Sequence, residues 1–298
     1  MISKETLTTE WIEKVSKANR NADKILVEKV IRALLLLEGL ANTNLSFIFK
    51  GGTALMLLMN SAKRLSIDID IIISKAPQNL DEILTSFVAT QSFNKVELQH
   101  RSTESKIEKA HYKFYYTPIH KSNKVEEYVL LDILFEANHY TNISAKEIES
   151  QFVINEGKAA LVNMSSFEDL LGDKLTAFAP ETTGIPYFKN EDSKSMEIIK
   201  QLYDIGNLFD VSNDLATIKT TFDTIVKIEI EYRNLTNGTP NDVLKDIYET
   251  ALCISLRGAG GNCNFDELQK GLRAIERFVF SEHYHLEKAI PQDRKSVV

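Results

Sequence analysis

The chain has 298 residues, of which 43% are hydrophobic and 26% are charged, and its formal net charge is −7. This is the composition of an ordinary folded protein, and it excludes disordered, collagen-like and disulfide-framed chains. The acidic balance also argues against general DNA binding, because a protein that coats DNA needs a positive field. It leaves room for a local basic groove.

The N-terminal segment and the cysteines predict the compartment. Residues 1–20 contain no apolar core of the kind that a secretory signal carries. The longest apolar runs are interrupted by Arg32 and Asp132, and none approaches the roughly 20 residues that cross a bilayer. Cys253 and Cys263 form no CxxC pair, so we expect two free thiols. These features predict a cytoplasmic protein that does not bind a membrane.

Apolar periodicity divides the chain into two parts. The first part predicts helices over 4–40, 54–59 and 80–90, and strands over 45–49, 66–73, 95–100, 110–118 and 128–135. The polar segment 120–124 joins the last two strands as a hairpin. The second part predicts helices over 165–178, 193–210, 214–235, 241–256 and 265–287. We therefore predict an α+β fold, with a mixed-sheet domain over 1–160 and an all-helical domain over 161–298.

Three aspartates stand in predicted strands. Asp68 and Asp70 alternate within one strand, so both carboxylates share a face. A hard cation such as Mg²⁺ would remove their mutual repulsion, whereas an exposed edge strand could also carry both. Asp132 interrupts an apolar strand and is costly to bury unless it is paired or binds a metal. If the two strands are neighbours, three carboxylates support metal-assisted phosphoryl transfer; a structural salt bridge of Asp132 is the alternative.

Gly51, Gly52 and Thr53 follow a predicted strand and open a helix. Glycine lets the backbone approach a ligand closely, and the free N–H groups of a helix start bind phosphate. The alternative is a simple strand-to-helix turn. The sequence contains neither a P-loop nor a dinucleotide-binding glycine pattern.

The order of these motifs resembles a known family. Lys50–Leu55 (KGGTAL) and Arg64–Asp70 (RLSIDID) resemble the polymerase-beta-like nucleotidyltransferase core, and more narrowly the AbiEii/AbiGii nucleotidyltransferase toxins. Lys174–Ala177 (KLTA) is similar to that family's KLxA element, which carries a catalytic lysine. Asp204 matches the second acidic position of its late D-x-x-D element, whereas Gln201 replaces the first.

The resemblance implies roles for the site residues. Asp68, Asp70 and Asp132 would hold Mg²⁺ or Mn²⁺, and Lys174 would neutralise the triphosphate while Asp204 orients Lys174 or the base. The residues implied to bind the nucleotide are Lys50, Gly51, Gly52, Thr53, Arg64 and Ser66. Lys174 and Asp204 would then face the carboxylates across a cleft between the two domains.

The resemblance also implies an activity. It is the transfer of a nucleoside monophosphate from an NTP to an RNA acceptor, the 3′ end of tRNA, with release of pyrophosphate. The protein would be the toxin of a toxin–antitoxin or phage-defence system and would have a cognate antitoxin. Two alternatives stay open: transfer to a protein or small-molecule hydroxyl, and a nucleotide-binding module without turnover.

Lysines and aromatic residues alternate over 106–124. The lysines are Lys106, Lys109, Lys113, Lys121 and Lys124, and the rings are His111, Tyr112, Phe114, Tyr115 and Tyr116. Such interleaving can hold an RNA backbone and stack bases. The alternative is that these aromatic residues belong to the core of a sheet.

Overall fold

The computed structural model describes residues 1–59, 63–99, 108–120 and 125–295. The chain forms two compact units, one of Met1–Asn138 with Ile143–Ser165 and one of His139–Asn142 with Ser166–Val298. In the part of the chain that is described, no helix has both the length and the apolar character needed to cross a membrane.

The first unit is built on a mixed β-sheet. Its helices are a 3₁₀-helix at Lys4–Leu7, α1 (Thr9–Ala18), α2 (Lys24–Ala41), α3 (Gly51–Leu58) and α4 (Leu80–Ser86). Its strands are β1 (Ile48–Lys50), β2 (Ile69–Ile73), β3 (Lys95–Leu98), β4 (Lys109–Tyr116), β5 (Glu127–Phe135), β6 (Ile143–Glu147) and β7 (Leu161–Ser165). Within the described residues their order is β3-β4-β5-β2-β1-β7-β6. β2 pairs with β5, and β1 with β7, in parallel; the other neighbours are antiparallel.

The two faces of this sheet differ in polarity. In β5, Val129, Leu131 and Ile133 are buried, whereas the alternate residues Leu130 and Asp132 keep some exposure. The buried face packs against α2, which contacts both β2 and β5 and is itself mostly buried. Burial of this apolar face drives formation of the sheet and leaves the polar side chains on the opposite face.

The second unit is mainly helical. Its helices are α5 (Phe167–Ala177), α6 (Ser195–Phe209), α7 (Leu215–Tyr232), α8 (Pro240–Ser255), α9 (Phe265–Ile275) and α10 (Leu286–Lys295). Two short paired strands, β8 (Phe188–Lys189) and β9 (Asp192–Ser193), precede α6. The predicted α+β class with a helical C-terminal region is confirmed. The site residues that each of the two predicted domains contributes stay a prediction.

Several predicted boundaries are wrong. The helix predicted over 265–287 ends at Ile275, and a new helix begins at Leu286. Strands β6 and β7 were not predicted, because all five residues of β6 are exposed and show no apolar alternation. The predicted hairpin of β4 and β5 is confirmed, although its tip over 121–124 lies outside the described residues.

The expectation of two free thiols is also wrong, since Cys253 and Cys263 form a disulfide with a Cα–Cα distance of 6.1 Å. The loop after α8 folds back against that helix because Gly261 adopts a φ of +77° and packs directly on the backbone of α8. A Cβ at Gly261 would stand 2.6 Å from the backbone nitrogen of Cys253. This close approach brings the second cysteine beside the first, a relationship that sequence spacing alone does not reveal.

Candidate active site

Asp70 and Asp132 lie side by side on neighbouring strands. They occupy directly paired positions of the parallel strands β2 and β5. Paired residues of adjacent strands project from the same face of a sheet, so both carboxylates stand on the polar face. Both are half-buried, and the side chain of Asp132 retains 30% of its exposure. The structure therefore brings two of the three predicted carboxylates together.

Asp68 lies just outside the strand in which it was predicted. β2 begins at Ile69, one residue later, and Asp68 is exposed. The reason is that β1 ends at Lys50, which is paired with Asp70. Asp68 therefore has no antiparallel neighbour on β1. The backbone carbonyl of Asp68 accepts a hydrogen bond of 2.6 Å from the Thr53 hydroxyl.

The row of polar side chains continues across four strands. Lys50 is paired with Asp70 on one side, and His111 is paired with Asp132 on the other. The Nδ1 atom of His111 is 2.5 Å from Oδ1 of Asp132. The sequence indicated His111 only as part of the basic-aromatic segment. The register of the β4–β5 hairpin was the signal that could have revealed this contact.

The glycine turn lies against Asp70. β1 ends at Lys50 and α3 starts at Gly51, whose φ is +80°. A Cβ at Gly51 would stand 2.1 Å from Oδ2 of Asp70, so only glycine leaves room for this carboxylate. The helix predicted to open at the Gly-Gly-Thr segment is therefore confirmed, and its first turn adjoins the carboxylate row.

The other residues predicted to bind nucleotide surround the same turn. A Cβ at Gly52 would be 2.6 Å from the Ser66 hydroxyl and 2.7 Å from Nη2 of Arg64. Arg64 is buried, and its Nη1 donates to the carbonyl of Leu65 at 3.1 Å. Thr53 is fully buried with its hydroxyl turned to Asp68. In this arrangement the Thr53 hydroxyl supports the turn, and a phosphate contact of that group stays a prediction.

Lys174 and Asp204 form a buried ion pair within the second unit. Nζ of Lys174, on α5, is 2.7 Å from Oδ2 of Asp204, on α6, and their side chains are only 7% and 2% exposed. Lys174 also donates to Oε1 of Gln201 at 3.2 Å. The glutamine that replaces the family's first acidic residue thus still contacts the lysine. A buried ammonium beside a carboxylate is costly to desolvate, and such pairs are often kept for function.

The donor chemistry of the carboxylate row suits a hard divalent cation. Asp70 and Asp132 offer carboxylate oxygens on one face, and Asp68 precedes Asp70 by two positions. The carboxylate of Asp70 fills the space that a side chain at residue 51 would take. Among the described residues, no group of three or more His, Cys, Asp or Glu side chains is already arranged around a metal position.

The basic-aromatic segment divides between the two faces of the sheet. Tyr112, Phe114 and Tyr116 are buried, as the alternative of core aromatics predicts. His111, Lys113 and Tyr115 lie on the opposite, partly exposed face, and Lys109 is exposed. Lys106, Lys121 and Lys124 lie outside the described residues.

Comparison with known proteins identifies the family of the chain. The model of the family described as nucleotidyl transferase AbiEii toxin, type IV TA system, matches residues 35–255. The chain belongs to the AbiEii nucleotidyltransferase toxin family. This confirms the resemblance noted in the sequence, and it establishes a nucleotidyltransferase toxin of a type IV toxin–antitoxin system. The family accordingly implies an NTP substrate and a cognate antitoxin.

The solved structure of one nucleotidyltransferase toxin shares the fold of this AbiEii toxin. MenT4, a nucleotidyltransferase toxin from Mycobacterium tuberculosis, is 12% identical and aligns over 96% of this chain and 88% of its own, with a TM-score of 0.60. JHP933 from Helicobacter pylori is 16% identical over 99% of this chain and 92% of its own, with a TM-score of 0.49. No curated protein sequence matches this AbiEii toxin significantly.

Proposed function

We propose that this toxin transfers a nucleoside monophosphate from an NTP to a hydroxyl of an RNA acceptor, the 3′ end of tRNA, and releases pyrophosphate. The observation that carries the proposal is the pairing of Asp70 with Asp132 beside the Gly51 turn. Carboxylates and a phosphate-binding turn are the two groups that phosphoryl transfer requires in one place.

The carboxylates would hold the metal. Asp70, Asp132 and Asp68 would coordinate Mg²⁺ or Mn²⁺. When bound, such an ion neutralises phosphate charge and lowers the pKa of an attacking hydroxyl. The histidine at 111 contacts Asp132 at 2.5 Å and would fix the orientation of that carboxylate.

Cationic residues would bind the phosphates of the NTP. The start of α3 offers backbone N–H groups, Lys50 directly precedes it, and Nη2 of Arg64 is 2.7 Å from the position that a Cβ at Gly52 would take. Ser66 would add a hydroxyl contact. We assign Lys174, held by Asp204, to the charge that develops on the leaving pyrophosphate.

The proposed transfer exchanges one bond at the α-phosphorus for another. The acceptor oxygen bonds to the α-phosphorus, and the bond from that phosphorus to the bridging oxygen breaks. Pyrophosphate leaves, and the hydroxyl proton is released to water. In this proposal, modification of the tRNA 3′ end blocks aminoacylation in the cytoplasm; that block would account for the toxicity and would serve phage defence.

Labelling identifies the acceptor. Purified protein is incubated with Mg²⁺, total RNA and each α-labelled NTP in turn. We expect label on tRNA with one preferred nucleotide, and loss of label when the terminal 3′ hydroxyl is oxidised. Label on protein or on a small molecule would instead support transfer to those hydroxyls, and NTP binding without pyrophosphate release would support a non-catalytic module.

Induced expression in bacteria tests whether toxicity depends on the proposed chemistry. The wild-type chain should arrest bacterial growth, and the matched variant Glu82→Gln, which alters an exposed carboxylate of α4, should arrest it equally. Asp70→Asn should not. Arrest by Asp70→Asn at an equal protein level would separate toxicity from the proposed chemistry.

A further inference from the structure

Two tyrosines extend the polar face of the sheet beyond the carboxylate row. Tyr115 of β4 and Tyr128 of β5 are directly paired, and their ring centroids are 5.9 Å apart. Tyr128 is 37% exposed, while the tyrosines on the other face of β4, Tyr112 and Tyr116, are almost fully buried. The pair on the polar face is therefore not part of the hydrophobic core.

Lysines lie over both rings. Nζ of Lys95 is 4.5 Å from the ring centroid of Tyr115, and Nζ of Lys113 is 4.5 Å from that of Tyr128. A third ammonium, from Lys29, is 5.6 Å from the Tyr128 ring. The long flexible side chains of Lys95 and Lys113 cover the rings in the free protein and can turn toward a ligand without backbone movement, whereas Lys29 is held by Glu127 at 2.9 Å.

The surface is continuous with the carboxylate row. Tyr115 and Tyr128 lie four positions from His111 and Asp132 along their strands, and an even separation keeps all four on one face. At about 3.4 Å per residue the tyrosine pair is about 14 Å from the row. Lys113 and its partner Leu130 lie between them.

We propose that Tyr115, Tyr128, Lys95 and Lys113 bind the single-stranded end of the RNA acceptor. Bases would stack on the two rings, and the displaced ammonium groups would pair with phosphates. This inference rests on the proposed transfer to RNA and specifies where the acceptor lies. Single-stranded RNA is the ligand that fits, because rings alternate with cations and a duplex offers no exposed base faces.

Nearby carboxylates reduce the electrostatic contribution that we expect to RNA binding. Lys95 also pairs with Glu97 at 2.8 Å, and Glu97 lies opposite Lys113, so the positive charge of the surface is partly offset. We therefore expect stacking to supply most of the affinity. This also agrees with an acidic chain that binds RNA at one surface and does not coat it.

The test measures binding of a fluorescently labelled single-stranded 12-nucleotide RNA to the full-length protein by anisotropy, without NTP. The variant Tyr115→Leu/Tyr128→Leu keeps an apolar cross-strand pair and should weaken binding by about 10-fold or more per ring. The matched control is Tyr248→Leu, which removes an exposed tyrosine of α8. It should bind as the wild type does, and thermal unfolding of each variant verifies folding.

A second variant does not depend on the rings. Lys95→Gln/Lys113→Gln should weaken binding and reduce the slope of log Kd against log salt by up to about 1.4, since each phosphate contact on a single strand contributes about 0.7. Binding by both double variants within twofold of the wild type overturns the proposal.

Labelling and binding measured together separate failure of this RNA surface from failure of the proposed transfer. If the wild type labels RNA and both double variants label and bind it equally, the surface is wrong and the transfer stands. If no RNA is labelled but binding is lost in the tyrosine variant, the surface stands and the proposed transfer fails. A wild-type protein that does not bind the 12-nucleotide RNA overturns the surface.

Discussion

Asp70 and Asp132 occupy directly paired positions on two parallel strands, with Lys50 and His111 completing the row on either side. The register of the sheet fixes this arrangement, because each of the four strands contributes one residue. The chemistry proposed for this AbiEii toxin therefore depends on backbone pairing as much as on the side chains themselves.

Replacement of Gly51 by alanine should abolish transfer through its effect on Asp70. The new Cβ would stand 2.1 Å from Oδ2 of Asp70 and would also require an L-residue at φ +80°. A displacement of about 1 Å can cost about 10²-fold in rate, so we expect at least that loss in labelling assays. Gly157→Ala is the matched control, because Gly157 has φ +68° with nothing within 4 Å of a Cβ. It should lose about 1 kcal/mol of stability and keep its activity; equal activity of both variants would contradict the role of the turn.

Replacement of Lys174 by methionine should destabilise the protein as well as inactivate it. The Asp204 carboxylate, 2% exposed, would lose the ammonium at 2.7 Å, and breaking one side of a buried pair costs about 3–5 kcal/mol. Urea unfolding measures the loss. The variant Lys174→Met/Asp204→Asn removes both charges and should recover much of the stability without recovering transfer. A stable double variant with wild-type activity would show that the pair is only structural.

Replacement of His111 by phenylalanine should weaken binding of Mn²⁺ about 10–100-fold, because Asp132 loses the contact that orients it. Isothermal titration of the NTP-free protein with Mn²⁺ gives the affinity directly and does not depend on turnover. Lys109→Gln, two positions away on the same strand, serves as the control. Equal Mn²⁺ affinity in the two variants would mean that His111 does not position a metal ligand.

Glu267 should make the free energy of unfolding depend on pH. Hydrogen bonds from Lys270, then from Ser193 and Ser195, lower the pKa of its carboxyl from 4.5 to about 2. Because the folded pKa lies below the unfolded one, the ionised carboxylate stabilises the fold fully above about pH 4.5. That contribution is lost as the pH falls toward 2.

The difference in unfolding free energy between the wild type and Glu267→Gln should therefore be largest at neutral pH and shrink below pH 4.5. Urea unfolding over a pH series measures it. The neighbouring exposed residue gives the control, Asp266→Asn, for which little difference is expected at any pH. A difference for Glu267→Gln that does not change with pH would contradict the assignment.

The sequence was informative where burial and alternation act together. An aspartate inside the apolar β5 is costly to bury unless it is paired or binds a metal, which marked Asp132 as a candidate site residue. That β5 lies beside β2 is known only from the structure. The Gly-Gly-Thr turn and the hairpin of β4 and β5 were predictable for similar local reasons. Lys174 and Asp204 were indicated only by family resemblance, since a lysine and an aspartate on helices are usually surface residues.

Other features depend on contacts that local patterns do not encode. β6 is exposed throughout and gains its strand structure only by pairing with β7. The Cys253–Cys263 disulfide depends on the turn at Gly261. The contact of His111 with Asp132 depends on the register of two strands joined by a long hairpin. Each of these needs the tertiary structure, because the partner is distant or its approach is set by the backbone.

The most direct test of the account compares incorporation of α-labelled nucleotide into RNA by the wild type, by Asp70→Asn and by Asp132→Asn, with Glu82→Gln as the control and folding verified for all four. The account predicts that either substitution in the row lowers incorporation by about 10²–10³-fold while the control stays at the wild-type rate. Incorporation by both row variants within threefold of the wild type would contradict it and would place the nucleotidyl transfer elsewhere on the chain.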